Sequence, residues 1–194
     1  MSLTATFLII FAYLLGSVST AIIVCRMTGK DDPRIAGSKN PGATNVYRIA
    51  GTKAAIFTLI GDITKGLLPV WLAQLADLSV QWQIYIAIAA LIGHCYPIYF
   101  KFNGGKGVAT AFGGLVMIHT TIGVGLLAIW LATIVISRTS SVAAMVAAMT
   151  VPLSAFYVMP DAILQLSAMA LIVVWRHHEN IMNILAGKEN KLND

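Results

Sequence analysis

A short stretch of the sequence combines three glycines and a lysine immediately before an apolar segment. It reads NGGKGVAT over residues 103–110. Glycine lets a ligand approach the backbone closely, and the free N–H groups at the start of a helix favour an anion. Gly104, Gly105 and Gly107 are therefore candidates for binding a phosphate, and Lys106, which adds a full positive charge there, is a candidate catalytic residue. The alternative is a flexible hinge whose lysine extends towards water. The stretch is not a Walker A loop, because the first glycine of that motif is missing.

Another stretch places hydroxyl and amide side chains between two basic residues. It comes earlier in the chain and is called the first stretch below, and the glycine-rich stretch is called the second. It reads GSKNPGATNVYR over residues 37–48. Backbone N–H groups, short donors and two flanking positive charges are suited to a phosphate. The alternative is an ordinary connection, since Asn-Pro-Gly favours turns, and the composition of residues 26–53 predicts turns rather than a long helix. Ser38 is a candidate catalytic residue, and the candidates for substrate binding are Asn40, Gly42, Thr44, Asn45 and Arg48.

A third stretch, RHHENI at residues 176–181, follows the last long apolar segment. His177 and Asn180 are three residues apart and share a face if a helix continues through them. Both are candidate catalytic residues, and Arg176 is a candidate for binding substrate. The alternative is a basic end that only follows the positive-inside rule. Ser141 is a further candidate for substrate binding.

Ionisable residues also occur inside an apolar segment. Asp62 and Lys65 lie there, where a charge is costly and usually faces a polar cavity. Their spacing also allows them to pair, so the alternative is a salt bridge that neutralises itself. We expect the pair to face a cavity beside the site, with Lys65 binding substrate. His94 is a candidate for substrate binding too, unless it only holds its loop against Pro97.

The histidines, cysteines and acidic residues show no spacing typical of a metal site. No metal ion or other cofactor is predicted. Cys25 and Cys95 show no pairing framework, so both are predicted to be buried thiols.

The composition indicates a membrane protein. The chain is 58% hydrophobic and 11% charged, whereas a soluble domain normally has about 25% charged residues. The predicted fold is an all-α integral membrane protein with one transmembrane domain over residues 1–194 and polar motif loops at 26–53, 93–110 and 176–189. The first positive charge, Arg26, follows the N-terminal apolar run, which predicts a retained helix rather than a secretory signal. The partner is the lipid bilayer, and no nucleic acid is expected.

Seven apolar segments are predicted to cross the membrane. They lie at 4–24, 54–75, 82–100, 108–119, 121–136, 140–158 and 162–175. With the N-terminus outside, every basic residue except Lys65 falls on the inner side, which predicts a cytoplasmic C-terminus. A rival arrangement fuses the fourth and fifth segments and moves Arg138 and the C-terminal tail outside. The fourth segment is short, since about 12 residues cover only about 18 Å of a core about 30 Å thick.

Together, the three polar stretches resemble the three cytoplasmic motifs of the bacterial membrane glycerol-3-phosphate acyltransferases that use acyl phosphate as donor. The matching stretches are 37–48, 93–110 and 176–189, in the same order and with similar spacing. The resemblance implies transfer of an acyl group from acyl phosphate to the primary hydroxyl of glycerol 3-phosphate. The products are lysophosphatidic acid and inorganic phosphate. It also implies a site on the cytoplasmic face of the bacterial inner membrane, and we expect a monomer.

The resemblance also suggests roles for the candidates. Lys106 and the Gly104–Gly105 backbone would bind the donor phosphate, with residues of the 37–48 stretch completing the site. His177 and Asn180 would orient glycerol 3-phosphate. The hydroxyl proton goes either to His177 or to a substrate phosphate oxygen, and the resemblance favours the second route. A covalent route through Ser38 is less favoured, because no carboxylate lies near it in sequence.

Two other functions are weighed against this one. The His-x4-Asp pattern of acyltransferases that use thioesters is absent, which argues against a thioester donor in that mechanism. A transporter of a phosphorylated solute is the main alternative. A transporter normally has polar access from both faces and often inverted repeats, whereas the predicted outer connections here are short and nearly uncharged.

Overall fold

The computed structural model describes residues 3–192, and every regular element in that range is helical. The prediction of an all-α protein is confirmed. In chain order the elements are α1 (Leu3–Gly16), α2 (Thr20–Met27), α3 (Ala43–Leu75), α4 (Val80–Cys95), α5 (Val108–Ile118), α6 (Thr120–Ser137), α7 (Ser140–Val158), α8 (Ile163–Arg176) and α9 (His178–Leu185), with short 3₁₀ turns at Ile98–Phe100 and Pro160–Ala162.

Five helical stretches among the described residues are long and apolar enough to cross a membrane. They are Leu3–Met27, Ala43–Leu75, Val80–Phe100, Thr120–Ser137 and Ser140–Val158. The other two predicted segments form shorter helices, α5 with 11 residues and α8 with 14. The number of crossings and the orientation remain predictions. The fourth and fifth segments are separate helices, because the backbone at His119 is extended (φ −151°, ψ 97°) between α5 and α6.

The first apolar segment is broken by two serines. The Ser17 hydroxyl donates a hydrogen bond of 2.8 Å to the carbonyl of Tyr13, and the Ser19 hydroxyl accepts one from the backbone N–H of Ile22 at 3.5 Å. Serine hydroxyls that bond to nearby backbone groups compete with the helical ladder and provide an N-cap for the next helix. The segment therefore forms α1 and α2 rather than one helix.

The helix after the first polar stretch begins earlier than predicted. The prediction of turns is wrong for residues 43–50, which form the first turns of α3 with Gly42 as the N-cap. The cause is an apolar face that the polar composition hides. This face consists of Val46, Ile49 and Ala50, which pack against Ala21, Cys25 and Ala54. Gly51 then interrupts the helical geometry (φ 80°, ψ −178°).

The described residues divide into two compact units, 3–118 and 119–192. In the first unit, α3 packs on α5 and α1 packs on α4. Both crossings are close: a Cβ at Gly66 would collide with the carbonyl of Thr110, and one at Gly93 with that of Tyr13. Small residues at such contacts are typical of helices packed in membranes. In the second unit, α7 packs against α6 and α8.

Both cysteines lie in the first unit. Cys25 and Cys95 are free thiols, and both are buried, as predicted. The organisation of residues 1–194 as one functional domain remains a prediction.

Candidate active site

Asn45 holds the first polar stretch in place from inside. Its amide nitrogen donates to the carbonyls of Pro33 and Ala36 at 2.9 and 3.0 Å, and its Oδ1 accepts from the N–H of Ser38 at 2.8 Å. The residue is 1% exposed. Both amide hydrogens are therefore used within the protein, so the observed role of Asn45 is to fix the loop. Direct contact with substrate stays a prediction.

The other candidates of this stretch lie nearer the surface. Ser38 is exposed, while Asn40 and Gly42 are half-buried. Thr44 and Arg48 are half-buried on the first turns of α3. The backbone N–H of Ser38 donates to Asn45. This hydrogen bond fixes the backbone that carries the Ser38 hydroxyl, although the side chain itself is exposed.

Arg34, which was not predicted as a site residue, joins the 26–53 loop to the 93–110 loop. Arg34 donates from Nη1 to the carbonyl of Phe100 at 3.3 Å, and its guanidinium lies 5.6 Å from the centre of that ring. Asp32 holds the same guanidinium through Nε and Nη2, the latter at 2.7 Å. Hydrogen bonds from Arg34 hold the pKa of the Asp32 carboxyl below its ordinary value of 3.8. The pair is therefore intact at neutral pH, and is lost only as the pH falls through that lowered pKa.

The glycines of the second stretch pack directly on His94. The N–H of Gly105 donates to the carbonyl of His94 at 3.1 Å. A Cβ on Gly104 would collide with that carbonyl, and a Cβ on Gly105 with the Nε2 of the His94 ring. Glycine is required here because the backbone passes so close to another residue. The glycines were predicted to allow close approach of a ligand. On this side of the loop, the residue that approaches them closely is His94.

A cluster of buried polar side chains lies beneath this loop. Its members are Asp62, Lys65, His94 and Thr110, which are between 0% and 7% exposed. Lys65 pairs with Asp62 at 2.9 Å, which confirms the predicted ion pair, and also donates to the carbonyl of Val18 at 2.9 Å. Both contacts are internal to the protein. Substrate binding by Lys65 and His94 stays a prediction.

Lys106 lies two residues before the start of α5. The residue is half-buried. Gly107 follows with a φ of +81°, and its carbonyl accepts the first helical hydrogen bond from Ala111 at 2.8 Å. The predicted order of glycines, lysine and helix start is therefore observed, with α5 beginning at Val108.

The third stretch lies in the second unit and is interrupted at His177. Helix α8 ends at Arg176 and α9 begins at His178, while the N–H of Ile181 still bonds to the carbonyl of His177 at 2.9 Å. His177 is 3% exposed, and its Nδ1 lies 2.7 Å from the carbonyl of Val173. Since a carbonyl only accepts, Nδ1 carries a proton, and in the neutral ring Nε2 holds the lone pair.

Ser141 and Asn180 are brought together by a carboxylate. The Ser141 hydroxyl and the Asn180 amide each donate to Oε1 of Glu189 at 2.6 Å. These bonds tie the start of α7 to α9 and to the tail that follows it. Glu189 therefore fixes the positions of the Ser141 and Asn180 side chains. Arg176, the last residue of α8, is half-buried.

The comparison with known proteins identifies the family. A family model described as glycerol-3-phosphate acyltransferase matches residues 6–187. The chain belongs to this family. A curated glycerol-3-phosphate acyltransferase of Pseudomonas fluorescens is 50% identical over 183 residues, covering 94% of this chain and 96% of the relative. One of Pseudomonas putida is 49% identical over the same shares.

Solved structures from the glycerol-3-phosphate acyltransferase family share the fold. The glycerol 3-phosphate form of PlsY (YgiH), an integral membrane glycerol 3-phosphate acyltransferase, aligns with a TM-score of 0.91 and 33% identity, covering 96% of this chain and 94% of that one. The lysophosphatidic acid form aligns with a TM-score of 0.88 and 32% identity. These matches support a multi-pass membrane protein.

Four residues that hold the motif stretches in place were not predicted as site residues. Arg34, Asp32 and Thr110 carried no signal beyond their positions within or beside the motif stretches. Glu189 had one, because it is an acidic residue between two lysines, Lys188 and Lys191. Among residues 3–192, no group of three His, Cys, Asp or Glu side chains is placed to hold a metal ion.

Proposed function

We propose that this chain transfers an acyl group from acyl phosphate to the primary hydroxyl of glycerol 3-phosphate. The observation that carries the proposal is full-length similarity to a structure in its glycerol 3-phosphate form, with a TM-score of 0.91. The related lysophosphatidic acid form matches the product of the same reaction. The acyl-phosphate donor rests on the resemblance of the three motif stretches.

The chemistry needs little covalent help from the protein. The hydroxyl oxygen of glycerol 3-phosphate attacks the acyl carbonyl carbon, and the bond from that carbon to the phosphate oxygen breaks. Inorganic phosphate leaves and lysophosphatidic acid is formed. Because acyl phosphate is already an activated anhydride, positioning and stabilisation of charge are the main requirements.

The first two stretches bind the donor in this proposal. Lys106 and the backbone of Gly104 and Gly105 contact its phosphate, where a full positive charge opposes the charge that develops on the leaving group. The 37–48 loop completes the site with Ser38, Thr44 and Arg48. Asn45 contributes by holding that loop, as its three hydrogen bonds support.

The third stretch binds the acceptor. His177 and Asn180 orient glycerol 3-phosphate, and Ser141 and Arg176 contribute to its binding. The Nδ1–H of His177 is directed to the carbonyl of Val173, so its Nε2 is the nitrogen that can accept a hydrogen bond from the hydroxyl. The proton then goes to His177 or, in a substrate-assisted reaction, to a phosphate oxygen.

The membrane arrangement follows from charge. We place seven crossings with the N-terminus outside, the C-terminus in the cytoplasm and the site on the cytoplasmic face of the bacterial inner membrane. The distribution of Lys and Arg supports this orientation. The chain acts as a monomer and as a single functional domain.

One assay tests the donor. Purified protein in detergent receives glycerol 3-phosphate with either palmitoyl phosphate or palmitoyl-CoA, and both phosphate release and lysophosphatidic acid are measured. We expect equal amounts of both products with palmitoyl phosphate and neither with palmitoyl-CoA. Transfer from palmitoyl-CoA alone would overturn the donor assignment. Uptake of glycerol 3-phosphate into vesicles without any transfer would favour a transporter.

A pair of lysine variants tests the site. Lys106→Ala is expected to lower turnover by about 100-fold or more, because a charge that stabilises the transition state is lost. Lys101→Ala removes an exposed lysine from the same loop and is expected to stay within about twofold, because exposed charges contribute little. Equal activity of the two variants would remove Lys106 from the mechanism.

A further inference from the structure

We propose that Thr110 and Asp62 are positioning residues, which fix the His94 ring and thereby shape the Gly104–Lys106 loop for binding a substrate phosphate. This inference rests on the proposed function. The cluster that carries it is buried within the first unit and contains four polar side chains. Burying polar groups costs free energy unless each is hydrogen-bonded, so the contacts within the cluster decide whether it holds one arrangement.

The hydrogen bonds assign the proton on His94. The Thr110 hydroxyl lies 3.0 Å from the backbone carbonyl of Asp62, which only accepts, so the hydroxyl hydrogen goes there. The Thr110 oxygen also lies 3.3 Å from Nδ1 of His94. Because the hydroxyl has a single hydrogen, Nδ1 must be the donor in this second bond. Thr110 thus selects the ring form with a proton on Nδ1.

The carboxylate of Asp62 supports the same arrangement. Its Oδ1 lies 3.7 Å from Nδ1 of His94 and 2.9 Å from Nζ of Lys65. The first distance is too long for a good hydrogen bond, but a negative charge there attracts the N–H that Thr110 accepts. Lys65 offsets the charge of Asp62 and binds the carbonyl of Val18, in the break between α1 and α2.

The far side of the ring is pressed against the loop. Gly105 passes so close to Nε2 of His94 that no side chain fits between them, and its N–H bonds to the His94 carbonyl at 3.1 Å. Any rotation of the ring towards Asp62 therefore changes the support under Gly104 and Gly105. Lys106 is the next residue, so its backbone position changes with theirs.

Removing one hydroxyl tests this chain of contacts. Thr110→Val keeps nearly the same shape but leaves Nδ1–H without the oxygen that accepts it, whereas Thr110→Ser keeps that oxygen. The matched control is Thr58→Val, since Thr58 is equally buried and its hydroxyl donates at 2.9 Å to Ala54 within the same helix. Activity with palmitoyl phosphate and glycerol 3-phosphate is measured along with thermal unfolding.

We expect Thr110→Val to raise the KM for palmitoyl phosphate about tenfold, the effect of losing roughly one hydrogen bond, with kcat nearly unchanged. Thr110→Ser and Thr58→Val are expected to keep both KM values within about twofold. A rise in the KM for glycerol 3-phosphate instead would support the positioning role and assign the loop to that substrate. If Thr110→Val fails to fold, Thr110→Cys carries the same test, because a thiol is a weak acceptor.

Two outcomes would overturn the inference. One is a wild-type KM for both substrates in Thr110→Val, and the other is an equal rise in Thr58→Val, which would indicate a general loss of packing. Failure of the proposed function looks different, because the wild-type protein itself would then show no transfer.

Discussion

The guanidinium of Arg34 joins two loops that are far apart in sequence, by donating to the carbonyl of Phe100 at 3.3 Å and lying over its ring. Asp32 holds the guanidinium from the other side. One side chain therefore couples the backbone of the first motif loop to that of the second. Arginine suits this task because its planar fork can meet a carboxylate, a carbonyl and a ring face together.

Loss of Arg34 should loosen both loops at once. We expect Arg34→Ala to raise the KM for palmitoyl phosphate about fivefold to tenfold, in line with one lost charged hydrogen bond. Arg34→Lys keeps the charge but not the fork, so it should rescue less than half of the loss. Arg138→Ala, which removes an exposed arginine from the second unit, serves as the control. Full rescue by lysine would mean that charge alone matters.

Asn45 provides a second test, because one variant removes its whole side chain and another removes only its amide donors. Asn45→Ala removes the three hydrogen bonds of a buried side chain and should lower the free energy of unfolding by about 2–3 kcal/mol. Asn45→Asp keeps an acceptor for Ser38 but places a carboxylate against the carbonyls of Pro33 and Ala36, so it should be at least as unstable. Asn183→Ala, at an exposed site on α9, is the control.

Thermal unfolding in detergent measures the two Asn45 variants. If Asn45→Asp and the wild type unfold at the same temperature, the amide does not hold the loop as its hydrogen bonds indicate. A variant that is stable but has a raised KM would instead support direct contact of Asn45 with substrate.

The sequence predicts the elements better than the contacts between them. Apolar runs locate each long helix, since about 20 apolar residues have few alternatives to a helix in lipid. The first turns of α3 were missed, because the Gly, Asn and Pro residues of the 26–53 loop favour turns, while only Val46, Ile49 and Ala50 carry the buried face. Local composition cannot reveal a face whose partner lies on α2.

The candidate site shows the same division. Residue types and spacing single out Lys106 and the glycines beside it. Part of the reason why residues 104 and 105 must be glycine is the contact with His94, which is evident only from the fold. Lys39 is a related case, because its φ of +56° lies in a region that favours glycine. Its positive charge is evident from the sequence, whereas its backbone geometry is evident only in three dimensions.

Glu189 offers a test of the third stretch. Its Oε1 accepts from both Ser141 and Asn180. Glu189→Ala leaves two donors without their acceptor and should lower kcat/KM for glycerol 3-phosphate by about 30-fold or more, because bonds to a charged group are strong. Glu189→Gln keeps a side-chain oxygen in place and should lose less than Glu189→Ala. Glu179→Ala, which removes an exposed acidic side chain from α9, the helix that carries Asn180, controls for charge.

The Glu189 variants are compared by measuring kcat and KM with the concentration of each substrate varied in turn. An effect confined to the KM for palmitoyl phosphate would contradict the assignment of the third stretch to the acceptor. Equal losses in the alanine and glutamine variants would show that the charge, rather than the geometry of the two bonds, is what the site needs.

The membrane arrangement can be decided by labelling single cysteines with a membrane-impermeant maleimide in intact cells. Both native cysteines are buried, so replacing them with alanine gives a silent background. With seven crossings, Asp77→Cys and Asp161→Cys should react from outside, while Lys30→Cys and Asn190→Cys should react only after the membrane is opened. All four positions are exposed in the fold.

Two of these positions separate the rival arrangements. If the fourth and fifth segments form one crossing, the sides of Asp161 and Asn190 are exchanged, while those of Asp77 and Lys30 are not. Labelling of Asn190→Cys in intact cells, together with protection of Asp161→Cys, would therefore rule out seven crossings. It would also place the third motif stretch on the face opposite the first. No single site can bind both phosphates across a bilayer, so the acyltransferase mechanism proposed above requires Asn190→Cys to stay unlabelled until the cells are opened.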